Sequence, residues 1–383
     1  MKICIILILL INSLSVLQAQ DTLKIKPSIN INGYLKGLES VAFDKINHTS
    51  STNHLLHNRL NLKYKPNKTI LLAAEFRNRL FFGEQVKATS QFVEQLTNST
   101  EQFNMQKLWV QSSVVVLHTN IESLYVDLTK QKWNARIGRQ RVNWGIASTW
   151  NPNDIFNVYN FLDFDYQERP GIDGIKLQYL SSNVSNIELV YSSTNSNKNS
   201  VASKFAINLW NYDFQFIAGS YKGNATLGTG WAGNIKDAGF KGELQYYFKD
   251  NYSTSQLNAV IGLDYMFNKG LYLDLGGLYN SNGLTKSVNN WNEINLNLSA
   301  KNLMPAKYSF IVSLRKELSP IASISNNLVY SPGLKLLILM PSFSYNISNS
   351  IDTDLMSQVF FIKTASTFKE VTAIGYFRLR YSF

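Results

Sequence analysis

The final stretch of the chain, residues 370–383, constrains the possible folds more than any other segment. Every second residue from Val371 to Phe383 is apolar, whereas Glu370, Arg378 and Arg380 fall between them. A period of two predicts an extended strand with one apolar and one polar face. Such a strand fits the wall of a membrane-spanning barrel or the edge of a secreted β-sandwich. The rest of the chain has to distinguish the two.

The same alternation recurs through the chain, separated by turns of two kinds. His57, Arg59 and Lys63 share a face opposite Leu60 and Leu62. Short turns are predicted at 66–68, 130–132, 183–185, 234–237, 268–270 and 317–319. Long connections are predicted at 43–53, 83–119, 142–172, 249–255 and 281–304. Short turns at one end and long loops at the other predict an all-β, transmembrane antiparallel up-and-down β-barrel. We expect about 18 strands, with 16 as the alternative, because an even number leaves both chain ends on one side.

The N-terminus has the pattern of an export signal. Lys2 precedes an apolar run over residues 3–16, and Ala19 supplies a small residue at a cleavage point. We interpret residues 1–19 as a signal peptide and residues 20–383 as a single barrel domain. A retained membrane helix is the alternative, but the apolar run is short for one. The single cysteine, Cys4, lies in this leader, so the mature chain has no thiol for disulfides or metal binding.

Composition agrees with a barrel in a membrane. Mean hydropathy is −0.13 and only 16% of residues are charged, as expected when lipid-facing and lumen-facing side chains alternate. The formal net charge is +11. An exported chain does not meet nucleic acid, so this excess is expected to bias a lumen toward anions. A barrel of this strand number is too wide for its own wall to fill, which leaves an open channel or a loop-plugged lumen.

Charged residues on the polar faces of the strands are the candidate lining of that lumen. An arginine facing lipid at the membrane midplane would cost roughly 2–4 kcal/mol, so these faces should point inward. The predicted lumen-lining and selectivity residues are Arg59, Lys63, Glu75, Arg77, Arg79, Arg136, Lys176, Arg378 and Arg380. Acidic residues on the same faces predict a transverse field and a mild anion preference.

The connection over residues 142–172 is rich in aromatic residues, which an exposed loop rarely is. We predict that it folds inward as a constriction; the alternative is that its aromatic residues lie at the membrane interface. Arg139 and Arg141 have the opposite parity to Arg136, so the strand must kink or leave the bilayer there. We expect them at the exterior rim, paired with Asp154, Glu168 or Asp173 so that they anchor the loop; the alternative is that they bind a substrate carboxylate. The predicted anchoring residues are Arg139, Arg141, Trp144, Asp154, Glu168, Arg169 and Asp173.

Several segments resemble a large family of Gram-negative outer-membrane barrels. They are residues 136–145, 150–156, 168–173, 230–243, 268–272 and 319–383. Together they are similar to porin-like barrels, including alginate-export porins and relatives of unassigned function. The resemblance implies residence in the outer membrane, with long exterior loops and short periplasmic turns. It also implies that the barrel-assembly machinery reads the closing strand, through Phe377, Leu379, Tyr381 and Phe383.

These observations favour a porin-like channel for passive passage of small hydrophilic solutes, including anions. The alternative is a non-conducting structural or adhesive barrel that acts through its exterior loops. An enzyme is not expected, because the chain has four histidines and no serine–histidine pair at a recognisable spacing. We expect no cofactor and no metal site. The expected partners are outer-membrane lipid, the barrel-assembly machinery and a small solute, with no nucleic acid; monomer and trimer remain open.

Overall fold

The computed structural model describes residues 27–383 except 89–91, 98–99, 166–168, 183, 197, 251–253, 288–293, 295 and 365–366. The predicted leader, residues 1–19, and the anchoring residue Glu168 therefore lie outside the described residues. In the described part, no helix is long and apolar enough to cross a membrane.

Nineteen strands and two short helices form within this part of the chain. The strands are β1 (Ser28–Asp44), β2 (Thr49–Lys65), β3 (Ile70–Gly83), β4 (Gln106–Gln111), β5 (Val115–Lys130), β6 (Trp133–Gln140), β7 (Ile172–Ser182), β8 (Ser185–Ser193), β9 (Ser200–Leu209), β10 (Tyr212–Tyr221), β11 (Asn224–Ile235), β12 (Ala238–Tyr247), β13 (Gln256–Phe267), β14 (Leu271–Asn280), β15 (Tyr308–Ser319), β16 (Ala322–Ser331), β17 (Leu336–Asn346), β18 (Ile351–Thr364) and β19 (Thr367–Ser382). The helices are α1 (Glu84–Ala88) and α2 (Phe92–Thr97).

Eighteen of the strands close into one antiparallel barrel. Each pairs with the next along the chain, and β1 pairs with β19 from Tyr34↔Ser382 to Asp44↔Thr372. Backbone hydrogen bonds between Gly33 and Phe383 run in both directions, with N···O distances of 2.9 and 3.0 Å. The predicted 18-stranded up-and-down barrel is confirmed.

The remaining strand, β4, lies in the connection between β3 and β5. β6 has eight residues and pairs with the Leu124–Lys130 half of β5, so it leaves the exterior half of β5 uncovered. β4 pairs with that half, from Gln106↔Asn120 to Gln111↔Val116. The 83–119 connection therefore contributes a piece of wall where β6 ends early.

The predicted short turns all lie at one end of the barrel, which we name the periplasmic end. At the opposite, exterior end, the connection predicted as a long loop over 43–53 is wrong, because β1 and β2 are joined by residues 45–48 alone. The Asp44 side chain accepts hydrogen bonds from the backbone N–H of Ile46 and Asn47, and His48 adopts φ 54°. A side chain that bonds its own backbone in this way stabilises a tight turn.

The outer face of the wall is apolar, as a membrane-spanning barrel requires. Ile31, Leu227, Ile261 and Phe310 are all at least half exposed on this face. Aromatic pairs mark both ends, such as Trp133 with Tyr179 at the periplasmic end. Tyr279 with Tyr308 marks the exterior end. An apolar band between two aromatic girdles is the lipid-facing surface of a transmembrane barrel.

The inner face is polar on its periplasmic half but apolar on part of its exterior half. The inward residues at the exterior ends of β13–β18 are buried and form one hydrophobic cluster that includes Val260, Leu278, Ile311, Val329, Ile338 and Phe360. The loops after β6 and β14 cover them. A continuous apolar run such as residues 336–340 indicates a strand buried on both faces, and this signal was available in the sequence.

Candidate solute pathway

The inner faces of β1–β3 and β5 carry a cluster of basic side chains, because alternate residues of these strands point inward. Arg59 donates to Glu75 with an Nη2···Oε2 distance of 2.5 Å. Arg77 lies 3.7 Å from Glu122, and Arg79 donates to His118 at 3.2 Å. The predicted lumen-lining residues of β2 and β3 therefore meet on one stretch of wall.

Asp165, from the loop between β6 and β7, inserts into this basic cluster. Its Oδ1 lies 2.8 Å from Nζ of Lys36 and 2.9 Å from Nδ1 of His57, and its Oδ2 accepts from Arg77 at 2.7 Å. Burial alone would raise the pKa of the Asp165 carboxyl. The hydrogen bond from His57 and the charges of Arg77 and Lys36 outweigh it and hold that pKa well below its usual range.

The opposite end of the same loop is held by a wall carboxylate. Glu243, on β12, is fully buried and accepts hydrogen bonds from the backbone N–H groups of Ile146, Ala147 and Asn153. Gln215 adds a bond to the backbone carbonyl of Trp144 at 2.7 Å. Three backbone N–H groups donate to this one carboxylate, so Glu243 fixes the position of the loop backbone.

Between these two ends the loop packs on the apolar part of the inner wall. Trp150 is 2% exposed and belongs to the cluster that contains Val260, Leu278 and Ile311. Gln358, on β18, donates to the backbone carbonyl of Leu162 at 2.7 Å. The loop over residues 141–171 thus contacts β12, β13, β18 and β1–β3, and these contacts place it across the interior.

The predicted anchoring residues fall into two groups. Asp154 accepts from the backbone N–H groups of Trp144 and Gly145 and from Arg169. Burial raises the pKa of Asp154 despite these donors and the Arg169 charge. Trp144 also donates its indole N–H to Glu188 at 3.0 Å, and Arg141 contacts both Glu75 and the carbonyl of Arg169.

Arg139 and Asp173 form the second group and contact a different segment. Gly138, directly before Arg139, adopts φ 121°, a backbone conformation that favours glycine. Arg139 pairs with Asp173 at 2.8 Å, and both bond to the backbone of Phe103. The pair joins the two strands that flank the 142–172 loop and also holds the segment before β4. Its role in anchoring the loop stays a prediction.

The remaining predicted lumen residues differ in how far their charge is compensated. Arg136 pairs with Asp127, Arg378 with Asp354 and Arg380 with Asp352, at 2.6 to 2.9 Å. Lys63 and Lys176 also point inward. Across the described chain, neither of them has a carboxylate within ion-pair distance.

Described residues of a second loop, between β14 and β15, also contact the inner wall, although this loop was not predicted from the sequence to fold inward. Tyr247 and Asn258 donate to the backbone carbonyl of Ala300 at 3.2 and 3.0 Å, and Asn280 donates to that of Met304 at 3.2 Å. The sequence signal was the set of hydrogen-bonding side chains at inward positions near the exterior ends of β12–β14.

The sequence analysis also missed inward charged residues on the far wall. Lys204 pairs with Glu188 at 2.9 Å, and Lys241 pairs with Asp264 at 3.0 Å. Arg315 has inward parity near the periplasmic end and is exposed. Alternation along β9, β12 and β15 would have identified all three.

A cavity of about 570 Å³ lies between the loop and the exterior ends of β1–β3 and β19. Asp165 and Arg79 line it together with aromatic side chains such as Phe81, Phe164 and Tyr376. This cavity therefore lies directly beside the basic cluster.

No protein-family model matches this sequence, and no curated protein matches it either. Solved structures do match. OccAB4 of Acinetobacter baumannii superposes with a TM-score of 0.61 at 10% identity, covering 94% of this chain and 98% of that one. The outer membrane protein OprD of Pseudomonas aeruginosa gives 0.60 at 7% identity, covering 93% of both chains.

A third match is OpdK of Pseudomonas aeruginosa, solved with vanillate, with a TM-score of 0.59 at 8% identity. It covers 92% of this chain and 98% of the other. Such low identities show a shared fold and nothing about the solute. The chain therefore has the 18-stranded barrel fold of the outer membrane protein OprD.

Proposed function

We propose that the protein is an outer-membrane channel for passive passage of small hydrophilic solutes, with a mild preference for anions. The observation that carries this proposal is the closed barrel with a charged inner face. Arg136 and Lys176 in the middle of the wall and Lys63 near the periplasmic end keep solvent-accessible charge inside it. Charged rings and ladders on a lumen wall set the selectivity of such channels.

The preference should be mild because most inward charges are compensated. Within the described chain, Lys63 and Lys176 lack ion pairs on β2 and β7, whereas Asp213 and Asp274 lack them on β10 and β14. Cations without partners thus face acids across the lumen. This arrangement produces a transverse field, which orients a dipolar solute more than it excludes one sign of charge.

The buried members of the predicted selectivity set would act differently from the accessible ones. Arg59, Arg77, Arg79 and Glu75 shape the field beside the loop, while Arg378 and Arg380 form neutralised pairs with acids of β18. The anchoring residues Arg141, Trp144, Asp154 and Arg169 would keep the loop in place, and so determine the width of the passage.

The solute class is proposed as small carboxylates. OpdK was solved with vanillate, an aromatic carboxylate, and the exterior cavity here combines aromatic side chains with Arg79. The resemblance of this sequence to alginate-export porins stays a prediction. Acidic sugars therefore belong in the same solute panel.

Single-channel recording in a planar bilayer under a salt gradient tests the proposal. Steady conductance with an anion-leaning reversal potential is expected for the wild-type barrel. The double variant Lys63→Glu/Lys176→Glu should shift the reversal potential toward cations. Lys198→Glu, in the exterior loop after β8, is the matched control and should leave it unchanged.

A non-conducting barrel is the second candidate, and the apolar packing of two loops inside the exterior half favours it. In that case a correctly folded, heat-modifiable barrel would give no conductance. The search for function would then move to the exterior loops and their binding partners.

A further inference from the structure

The outer wall from β15 to β19 contains a row of small side chains. Asn326 pairs with Pro341, and Ser357 pairs with Gly375. Leu339↔Val359 and Ser342↔Met356 place Pro341 beside Ser357 in the next strand pair. Proline has no N–H to donate, so the ladder is interrupted at this point of the wall. The row therefore crosses the four adjacent strands β16–β19. Its side chains project less far from the wall than the larger side chains beside them.

Larger apolar side chains border this row on its periplasmic side. Ile324 pairs with Phe343, which pairs with Leu355, and Leu355 is 61% exposed. The resulting groove has a volume of about 760 Å³, and its lining is almost entirely apolar. At Gly375 an added Cβ would meet nothing within 4 Å, so the groove floor is open there.

The groove runs obliquely across the membrane. Its β15–β16 end lies close to the periplasmic turn at 320–321. Its β19 end lies at Gly375, near the middle of β19 (Thr367–Ser382) and therefore near the middle of the membrane. The four inter-strand spacings from β15 to β19 give the groove a length of about 19 Å. Half of a bilayer core is about 15 Å thick, so an oblique groove of this length matches one acyl chain of one leaflet.

The periplasmic end of the groove is positively charged. Lys316 lines the groove from the outer face of β15, and its Nζ donates to the backbone carbonyl of Lys269 in the turn before β14. Neither lysine has a carboxylate within ion-pair distance among the described residues. An apolar trough that ends at two lysines, at the level of the membrane interface, complements an acyl chain attached to a phosphate.

We propose that this groove binds a glycerophospholipid of the periplasmic leaflet, with an acyl chain along the row from Asn326 to Gly375 and the phosphate at Lys316. The inference depends on the barrel spanning a membrane and not on its conducting. The lipid would cover the part of the wall where the strand ladder is interrupted by Pro341.

Lipid retention tests this proposal. Wild-type barrel would be extracted from outer membranes in a mild detergent, and bound phospholipid would be measured by native mass spectrometry. We expect retained phospholipid on the wild type and a reduction of at least fivefold on Gly375→Leu, whose side chain fills the groove. Gly37→Leu is the matched control, because Gly37 is also an outward glycine with nothing within 4 Å of an added Cβ.

A separate experiment tests the role of the positive charge at the groove end. After reconstitution in vesicles of equal phosphatidylglycerol and phosphatidylcholine, the wild type should retain phosphatidylglycerol preferentially, and Lys316→Gln should lose that preference. All variants should remain heat-modifiable and keep wild-type conductance, since the groove lies outside the lumen.

Two results would overturn the inference. One is equal phospholipid retention by the wild type, Gly375→Leu and Gly37→Leu. The other is an oligomer in mild detergent that Gly375→Leu dissociates while retained lipid stays constant, since the groove would then be covered by a second copy of the chain. A loss of conductance without a change in lipid retention would contradict the channel proposal alone.

Discussion

Asp165 is the residue on which the arrangement of the interior depends most. Its carboxylate contacts Lys36, His57 and Arg77 from three strands, and all three partners are buried. Asp165→Asn would leave those charges without their counterion, at a cost of about 3 kcal/mol, the order found when a buried pair is broken. We therefore expect a noisier channel of higher conductance, because the loop is no longer held at this wall.

The control for this variant is Asp213→Asn. Asp213 also has inward parity, but it makes no ion pair within the described residues and accepts one hydrogen bond from Asn208. Its replacement should change ion selectivity slightly and leave current noise at the wild-type level. Equal noise in both variants would mean that Asp165 does not restrain the loop.

The pH dependence of this attachment follows from the direction of the Asp165 pKa shift. The folded-state pKa lies well below the usual value of about 3.9. A carboxyl with a depressed pKa stabilises the folded arrangement above its unfolded pKa, and that contribution is lost only as the pH falls through the folded pKa. The difference in conductance between wild type and Asp165→Asn should stay constant from pH 7 to about pH 4. Convergence of the two proteins within that range would show that Asp165 becomes protonated there.

At the residue scale, parity along the strands predicted which charged side chains face inward, as for Arg59, Arg77 and Arg136. It could not predict their partners. Asp165 lies 129 positions after Lys36, and nothing in local sequence specifies that the loop turns toward β1 and not toward another strand. Arg139 shows the same limit, since its contact with the backbone of Phe103 joins positions that are far apart in the sequence.

At the scale of elements, the loop between β6 and β7 behaves as part of the core and not as a surface connection. Trp150 packs against inward residues of β13–β15 and contacts Phe161 edge to face at 6.0 Å. Trp150→Ala should remove about 3–5 kcal/mol of packing from the loop. The strand ladder does not involve this side chain, so the barrel itself should still form.

Limited proteolysis of the barrel in vesicles measures this effect. Trp150→Ala should be cleaved between residues 141 and 171 much faster than the wild type, while heat-modifiability is retained. Trp109→Ala is the control, because that ring is 62% exposed on the outer face and does not contact the loop. Unchanged cleavage of Trp150→Ala would show that the loop is held by its polar contacts alone.

The strands were more predictable than the loops because alternation is a local signal, whereas loop packing depends on distant residues. β2, β12 and β13 follow the alternation closely. β17 does not, because Leu336 and Ile338 face a covering loop while Leu337 and Leu339 face lipid. The 43–53 connection was overestimated for a similar reason, since polar residues such as Ser50 and Ser51 belong to the paired end of β2.

At the scale of the whole molecule, the inner face of the barrel differs between its two sides, which are formed by different parts of the sequence. The β1–β7 side presents charge to the lumen, and the β13–β18 side presents an apolar surface that carries the loops. The loop between β6 and β7 is attached to both sides, through Asp165 to the charged wall and through Trp150 to the apolar wall. Its position across the interior therefore depends on both kinds of contact.

Closure of the barrel leads to the last prediction, which concerns assembly. Phe377, Leu379, Tyr381 and Phe383 all face outward and are 44–51% exposed. Phe383 is hydrogen-bonded to Gly33 of β1 through its backbone, and its ring lies over that glycine. Phe383→Ala keeps those backbone bonds, so refolding into detergent micelles should be nearly unchanged. If the barrel-assembly machinery reads the terminal ring, the amount of folded protein in the outer membrane of cells should fall several-fold. Phe368→Ala, at the other end of β19 and 40% exposed, should leave that amount unchanged. A parallel loss in refolding and in cells would instead make Phe383 a residue of barrel stability.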